Sequence, residues 1–259
     1  MTLDPISALR QERAELLRFC RELDTAQWQT ESAAKGWRVQ DVVAHMGSGC
    51  HMLFSPAAFK LLRSNDIERT NDYFVDQRRD WSPMKALAEY ERWSRHVIAL
   101  MGLVSRSPLG GARMPLAELG RFPVRQFLGA LVFDHHTHLR HDIAPALNRS
   151  APGTDDNRMA VVLDWMMAVL GNQLRASEPL WLDRPLSIAL TGPGGGRWLV
   201  SPDGGVAPAD ADSAAAQIAG ITTEFPEWGT KRIDWRDRDV TINGDVDYGT
   251  LFLDALNVV

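Results

Sequence analysis

Residues 133–142 read Phe133-Asp134-His135-His136-Thr137-His138-Leu139-Arg140-His141-Asp142, which places four of the chain's seven histidines in ten positions. The stretch lies in a segment with helical apolar spacing, roughly 123–143, that Pro145 stops, so it reads as a long helix. At about 100° per residue, Asp134, His138 and His141 fall within about 60° of one another, and His135 and His136 point away. A carboxylate and an imidazole one turn apart suit a single divalent ion, provided another helix adds a ligand. His45, beside an apolar pair on a helical segment that starts near Val39, is the best-placed donor. Spacing alone leaves the bland readings open: a hydrogen-bonded core histidine at 45 and a solvated, His-rich helix face.

Working outward, helical spacing recurs from Ile6 to about Leu23 and again from Val39 through Val42, Val43 and Met46. Residues 56–80 and 83–105 read as further helix, the latter opened by Ser82 as N-cap and Pro83 at the first helical position. Trp28 and the Gly36-Trp37 pair read as loop. Long helices joined by loops predict a bundle over residues 1–150. Asn148 to Asp156 is a polar, turn-rich linker, and residues 151–259 have a different texture. There a helix over 157–176 precedes short apolar strands at 186–190 and 198–200, an alternating strand at 239–245 and a closing helix at 248–256. Gly192 to Gly196 reads as a hairpin turn rather than a phosphate loop, because no Lys-Ser/Thr follows it. The fold class is α+β, a helical bundle followed by a small α/β unit.

The 259 residues carry a net charge of −5, with 45% hydrophobic and 24% charged residues. That composition supports a packed core and excludes disorder. The acidic balance argues against a nucleic-acid partner. No apolar run is long enough for a membrane span, and the charged start of the chain lacks a signal-peptide core. Cys20 and Cys50 make no disulfide framework, so a reduced, cytoplasmic location is expected. Nine tryptophans against three tyrosines point to buried indoles or stacking surfaces.

The run Glu12-Arg13, Leu16-Leu17, Leu23, Trp28 and then Gly36-Trp37-x-Val39-x-Asp41-x-x-x-His45 resembles the mycothiol-dependent maleylpyruvate isomerase family, within the DinB-like metal-dependent four-helix bundles. The resemblance implies a metal held by His45 together with the carboxylate-x-x-x-His pair Asp134 and His138, the aspartate standing where the family often has glutamate. His138 to Asp142 also looks like one branch of that family. Arg38 departs from the Ser or Thr that often caps this helix. Residues 151–259 look like the family's sterol-carrier-like C-terminal domain, best at Trp228 to Arg232 and Val240 to Asp245.

The resemblance implies a divalent ion, zinc, and mycothiol or a related low-molecular-weight thiol. It implies a metal-dependent isomerase or S-transferase acting on a small electrophilic acid such as maleylpyruvate. In that chemistry a thiolate adds to the conjugated double bond, the resulting single bond rotates, and elimination returns the thiol. Arg232 would pair with a substrate carboxylate, and His141 would support His138 or touch the substrate. The competing expectation is a non-catalytic small-molecule or lipid-binding protein, its metal structural or absent.

Overall fold

The computed structural model describes residues 2–56, 64, 66–209 and 214–258. The chain divides into two compact units, one running Asp4–Gly153 and the other from Thr154 onward.

The first unit is helical. Helix α1 (Pro5–Arg21) is started by Asp4, whose carboxylate accepts from the Ser7 N–H. A short α2 (Thr25–Gln29), capped by Asp24, buries Trp28, where a loop is expected from the sequence. Helix α3 (Val39–Met52) follows the Gly36-Trp37 turn. The helical expectation for 56–80 falls partly outside the described residues; within them, α4 (Ile67–Asp76) begins after Asp66. Helix α5 (Pro83–Val104) starts as expected, with the Ser82 hydroxyl accepting from the Lys85 N–H at 3.3 Å.

The fourth long helix begins later than its apolar spacing suggests. Arg113–Pro115 (β1) and Arg121–Pro123 (β2) pair as a small antiparallel hairpin, and a 3-10 turn leads into α6 (Phe127–Thr137). From His138 to Ile143 the helix widens into a π turn and ends in one short turn, Ala144–Ala146.

Helix α1 packs on α5 and α6, and α3 packs on α5. At the α3–α5 crossing a Cβ on Gly47 would meet the Tyr90 backbone N at 3.2 Å, so the small residue sets the close approach. Val39, Val42, Val43 and Met46 of α3 are buried with Leu16, Leu17, Trp28, Trp37 and Leu139. Each such side chain contributes about 1.5–3 kcal/mol of burial. Two valines and a methionine around His45 therefore hold its helix against the bundle interior.

The second unit opens with α7 (Asp156–Ser177) and builds a five-stranded sheet. Its strands are β3 (Leu186–Thr191), β4 (Gly196–Val200), β5 (Val206–Pro208), β6 (Ala216–Ile221) and β7 (Thr241–Gly244), in the order β5-β4-β3-β6-β7. Strands β3 and β6 are parallel, and the other neighbours are antiparallel. The glycine run is the β3–β4 turn, with Gly194 at φ +64 donating its N–H to Asp156. A short α8 (Phe225–Trp228) and α9 (Val246–Ala255) complete the unit. Strands β5 and β6 have little apolar run of their own to mark them in the sequence. Cys20 and Cys50 are free and buried. No helix among the described residues is long and apolar enough to cross a membrane.

Candidate metal centre

Helix α3 supplies the first donor. Arg38 stands at its N-cap, and the backbone N–H of Arg38 donates to Asp41 Oδ2 at 3.0 Å. An arginine side chain has no acceptor for the reciprocal half of a capping box. Its guanidinium instead grips the same carboxylate, Nε to Oδ2 at 2.9 Å and Nη2 to Oδ1 at 3.0 Å. The departure from a Ser or Thr cap therefore leaves the helix start intact. His45, two turns on, is 8% exposed.

Helix α6 supplies Asp134, and the first residue of the π turn supplies His138. His45 Nε2 lies 3.1 Å from Asp134 Oδ1, and His138 Nε2 lies 3.3 Å from the same oxygen. One ligand atom from each of the three residues can be chosen so that all lie within 4.8 Å of one another. In a tetrahedral site with bonds of about 2.0–2.1 Å, ligand atoms stand about 3.3 Å apart. The three residues fit one small divalent ion. The Trp37 ring lies 5.0 Å from the His45 ring and 6.3 Å from the His138 ring, walling the site on one side. Asp134 keeps 29% of its side chain exposed, so the site opens to solvent on the carboxylate.

The three side chains shift one another's protonation. Burial alone would raise the Asp134 carboxyl, but the His45 and His138 imidazoles outweigh it and hold it well below the carboxylate range. Burial pushes His138 down, and the Asp134 and Asp142 carboxylates overcome it, leaving it raised to about 9.

The remaining histidines have other work. His135 Nδ1 donates to the Leu131 carbonyl at 2.7 Å, and burial lowers its pKa. His136 faces Glu12 at 3.2 Å. His51 stacks on Trp93 at 4.3 Å, with His96 at 5.6 Å from the same indole. His141, placed by α-helical spacing on the Asp134 face, is not brought to the three ligands; its ring lies 6.2 Å from His136. The cause is the π turn over His138–Ile143. A turn closed by i→i+5 bonds advances about 82° per residue rather than about 100°. Counted from Asp134, His141 moves from about 20° off the ligand axis to about 75°, and Asp142 moves from about 80° to about 10°.

Asp142 is the site residue that sequence reasoning missed. It is fully buried, and His138 Nδ1 donates to its Oδ2 at 2.7 Å. The signal was present as the i, i+4 spacing of His138 and Asp142. In the second unit Arg232 is exposed just past α8, its Nη1 donating to Thr230 Oγ1 at 2.9 Å.

Fold and site together define a class: a helical bundle with two imidazoles and a carboxylate converging from two helices, continued by a mixed sheet unit. The chain belongs to the family described as the mycothiol maleylpyruvate isomerase N-terminal domain, whose model matches residues 9–144. Two solved structures share the fold. A crystal structure of the mycothiol-dependent maleylpyruvate isomerase is 14% identical, with a TM-score of 0.59, covering 95% of this chain and 98% of that one. A histidine-to-alanine mutant of that isomerase is 15% identical, with a TM-score of 0.57 and the same coverage. A sterol carrier protein 2 like 2 from Aedes aegypti reaches a TM-score of only 0.33 at 14% identity, covering 38% of this chain and 98% of that one, from which no fold relation follows. No curated protein sequence matches the chain.

Proposed function

We propose that the bundle holds one divalent metal ion, zinc, on His45, Asp134 and His138, and that the chain is a thiol-dependent isomerase or S-transferase. Its substrate would be a small electrophilic acid such as maleylpyruvate, with mycothiol or a related low-molecular-weight thiol as co-substrate. The observation that carries this reading is the convergence of the three donor atoms inside the segment that matches the family. When bound, the ion supplies positive charge that favours a thiolate over a thiol at neutral pH.

The chain's own residues do the rest. His45 and His138 direct Nε2 at the site, Asp134 joins them from its solvent-facing side, and Trp37 excludes water from behind. Arg232, exposed in the second unit, is the proposed partner of a substrate carboxylate, a task for which its planar fork is suited. His141 has no place in the proposed ligand set. In the isomerisation the thiol adds across the double bond, the carbon–carbon single bond rotates, and elimination releases the trans acid and the thiol unchanged.

The test is metal analysis of the purified chain combined with turnover of maleylpyruvate in the presence and absence of mycothiol. One ion per chain and strictly thiol-dependent isomerisation, with Arg232→Ala raising KM several-fold at unchanged metal content, is the expected result. A metal-free, inactive chain that co-purifies with lipid would instead make it a carrier.

A further inference from the structure

We infer that Asp142 is a positioning residue for the metal centre: it fixes the ring and the tautomer of His138 so that Nε2 offers its lone pair to the ion. The inference rests on the metal reading given above and goes beyond the ligand set. Three observations carry it. The first is contact: His138 Nδ1 and Asp142 Oδ2 are 2.7 Å apart, shorter than the distances of either histidine to Asp134. A carboxylate accepts and cannot donate, so this bond requires the proton to sit on Nδ1. Nε2 is then the only ring nitrogen left to bind a metal.

The second is burial. Asp142 has no exposed surface, and a fully buried carboxylate is costly unless its oxygens are satisfied. Its main chain is also tied down, the carbonyl accepting from the Ala33 N–H at 3.0 Å. The carboxylate is held on a fixed backbone and does not follow His138 about.

The third is the shape of the helix. A π turn is rare, and here it begins at His138 itself. Continued as an α-helix, the chain would carry Asp142 about 80° round from Asp134; the wider turn returns it to within about 10°. Across the widened turn His138 and Asp142 stay on one face, about 30° apart against about 40° in an α-helix, with the imidazole between the Asp134 oxygen and the buried Asp142 oxygen. Outer carboxylates of this kind typically account for 10–100-fold in metal affinity.

The experiment titrates the full-length chain with Co2+ and with Zn2+ in competition, following the visible d–d bands of cobalt, with circular dichroism and thermal melts to confirm the fold. Asp142→Ala is expected to weaken cobalt and zinc binding 10–100-fold while helix content is kept. Asp142→Asn, which retains an acceptor oxygen at the same place, should recover most of that loss and restore the wild-type band positions. Should Asp142→Ala not fold, Asp142→Asn decides alone: a loss of about 3–10-fold is expected, with the 15N shifts of His138 showing Nδ1 protonated. Wild-type affinity and unchanged cobalt bands in Asp142→Ala would overturn the inference. A folded wild-type chain that binds neither ion would instead overturn the metal reading itself.

Discussion

Helix α6 and its π turn carry two buried clusters of histidine and carboxylate, and the two behave differently. On one side His45, Asp134 and His138 meet, with Asp134 partly open to solvent. On the other side His136 meets Glu12, and Arg140 closes the cluster by donating to Glu12 at 2.6 Å and Glu15 at 2.7 Å. Arg140 also holds the carbonyls of Pro152 and Gly153, each at 3.0 Å, where the first unit ends. The second cluster brings its own permanent cation and is sealed; the first has only titratable imidazoles to answer its carboxylate. That difference separates a structural cluster from a candidate metal centre, although both are built from the same residue types two positions apart.

The pKa values of two histidines, two residues apart, diverge for the same reason. Burial pushes His136 down to about 4, with Arg140 opposing its charge, whereas the carboxylates on either side of His138 raise it to about 9. Burial would raise Glu12, but His136 and Arg140 outweigh it and hold it at about 2.

The comparison breaks most sharply at Arg140. Arg140→Ala leaves the buried Glu12 carboxylate facing a titratable His136 in place of a permanent cation, and should cost about 3–5 kcal/mol in denaturant unfolding. Loss of less than about 1 kcal/mol would mean the sealed cluster does not hold the bundle together.

The next effect is on metal content. His45→Ala and His138→Ala should each abolish stoichiometric metal binding with little change in helix content, because packing rests on the apolar faces. His141→Ala and His135→Ala should retain the ion. Equal metal loss in His138→Ala and His141→Ala would move the ligand by a turn.

The smallest effect is on pH dependence. Relative to about 6.5 in the unfolded chain, the lowered His136 refuses a proton that the unfolded chain accepts, so stability falls as pH drops from about 6.5 to about 4. Glu12 adds a second loss from about 4.5 down to about 2. The raised His138 acts in the opposite sense: in the metal-free chain its contribution is full below about 6.5 and is lost as pH rises through about 9. Thermal melts of the metal-free chain should therefore peak near pH 6.5, and zinc should flatten the alkaline side alone. A metal-free melt that rises steadily to pH 9 would contradict the assignment of His138.

Much of this was legible in the sequence because it is local. The i, i+4 spacing of Asp134 and His138, the Ser82-Pro83 helix start, the linker composition and the glycine hairpin all depend on neighbours within a few positions. So did the family resemblance around Gly36 to His45, a pattern of turn, cap and buried helix face. The short β1–β2 hairpin was hidden because strands of three residues carry no readable period of their own. Strands β5 and β6 were hidden because their partners, not their composition, make them strands.

By itself, then, the sequence determined the helical bundle and the mixed second unit, since periodicity and short-range spacing suffice for both, while the three candidate ligands came from the family resemblance, spacing alone leaving His138 and His141 both on the Asp134 face. Only the tertiary structure decided which histidines share a face and which acid answers each of them. His136 finds Glu12 across 124 positions of chain, and a single widened turn after Thr137 turns His141 away from the Asp134 face. A helical wheel assumes a constant angle per residue, and the wheel fails after Thr137, where backbone hydrogen bonding changes from i→i+4 to i→i+5.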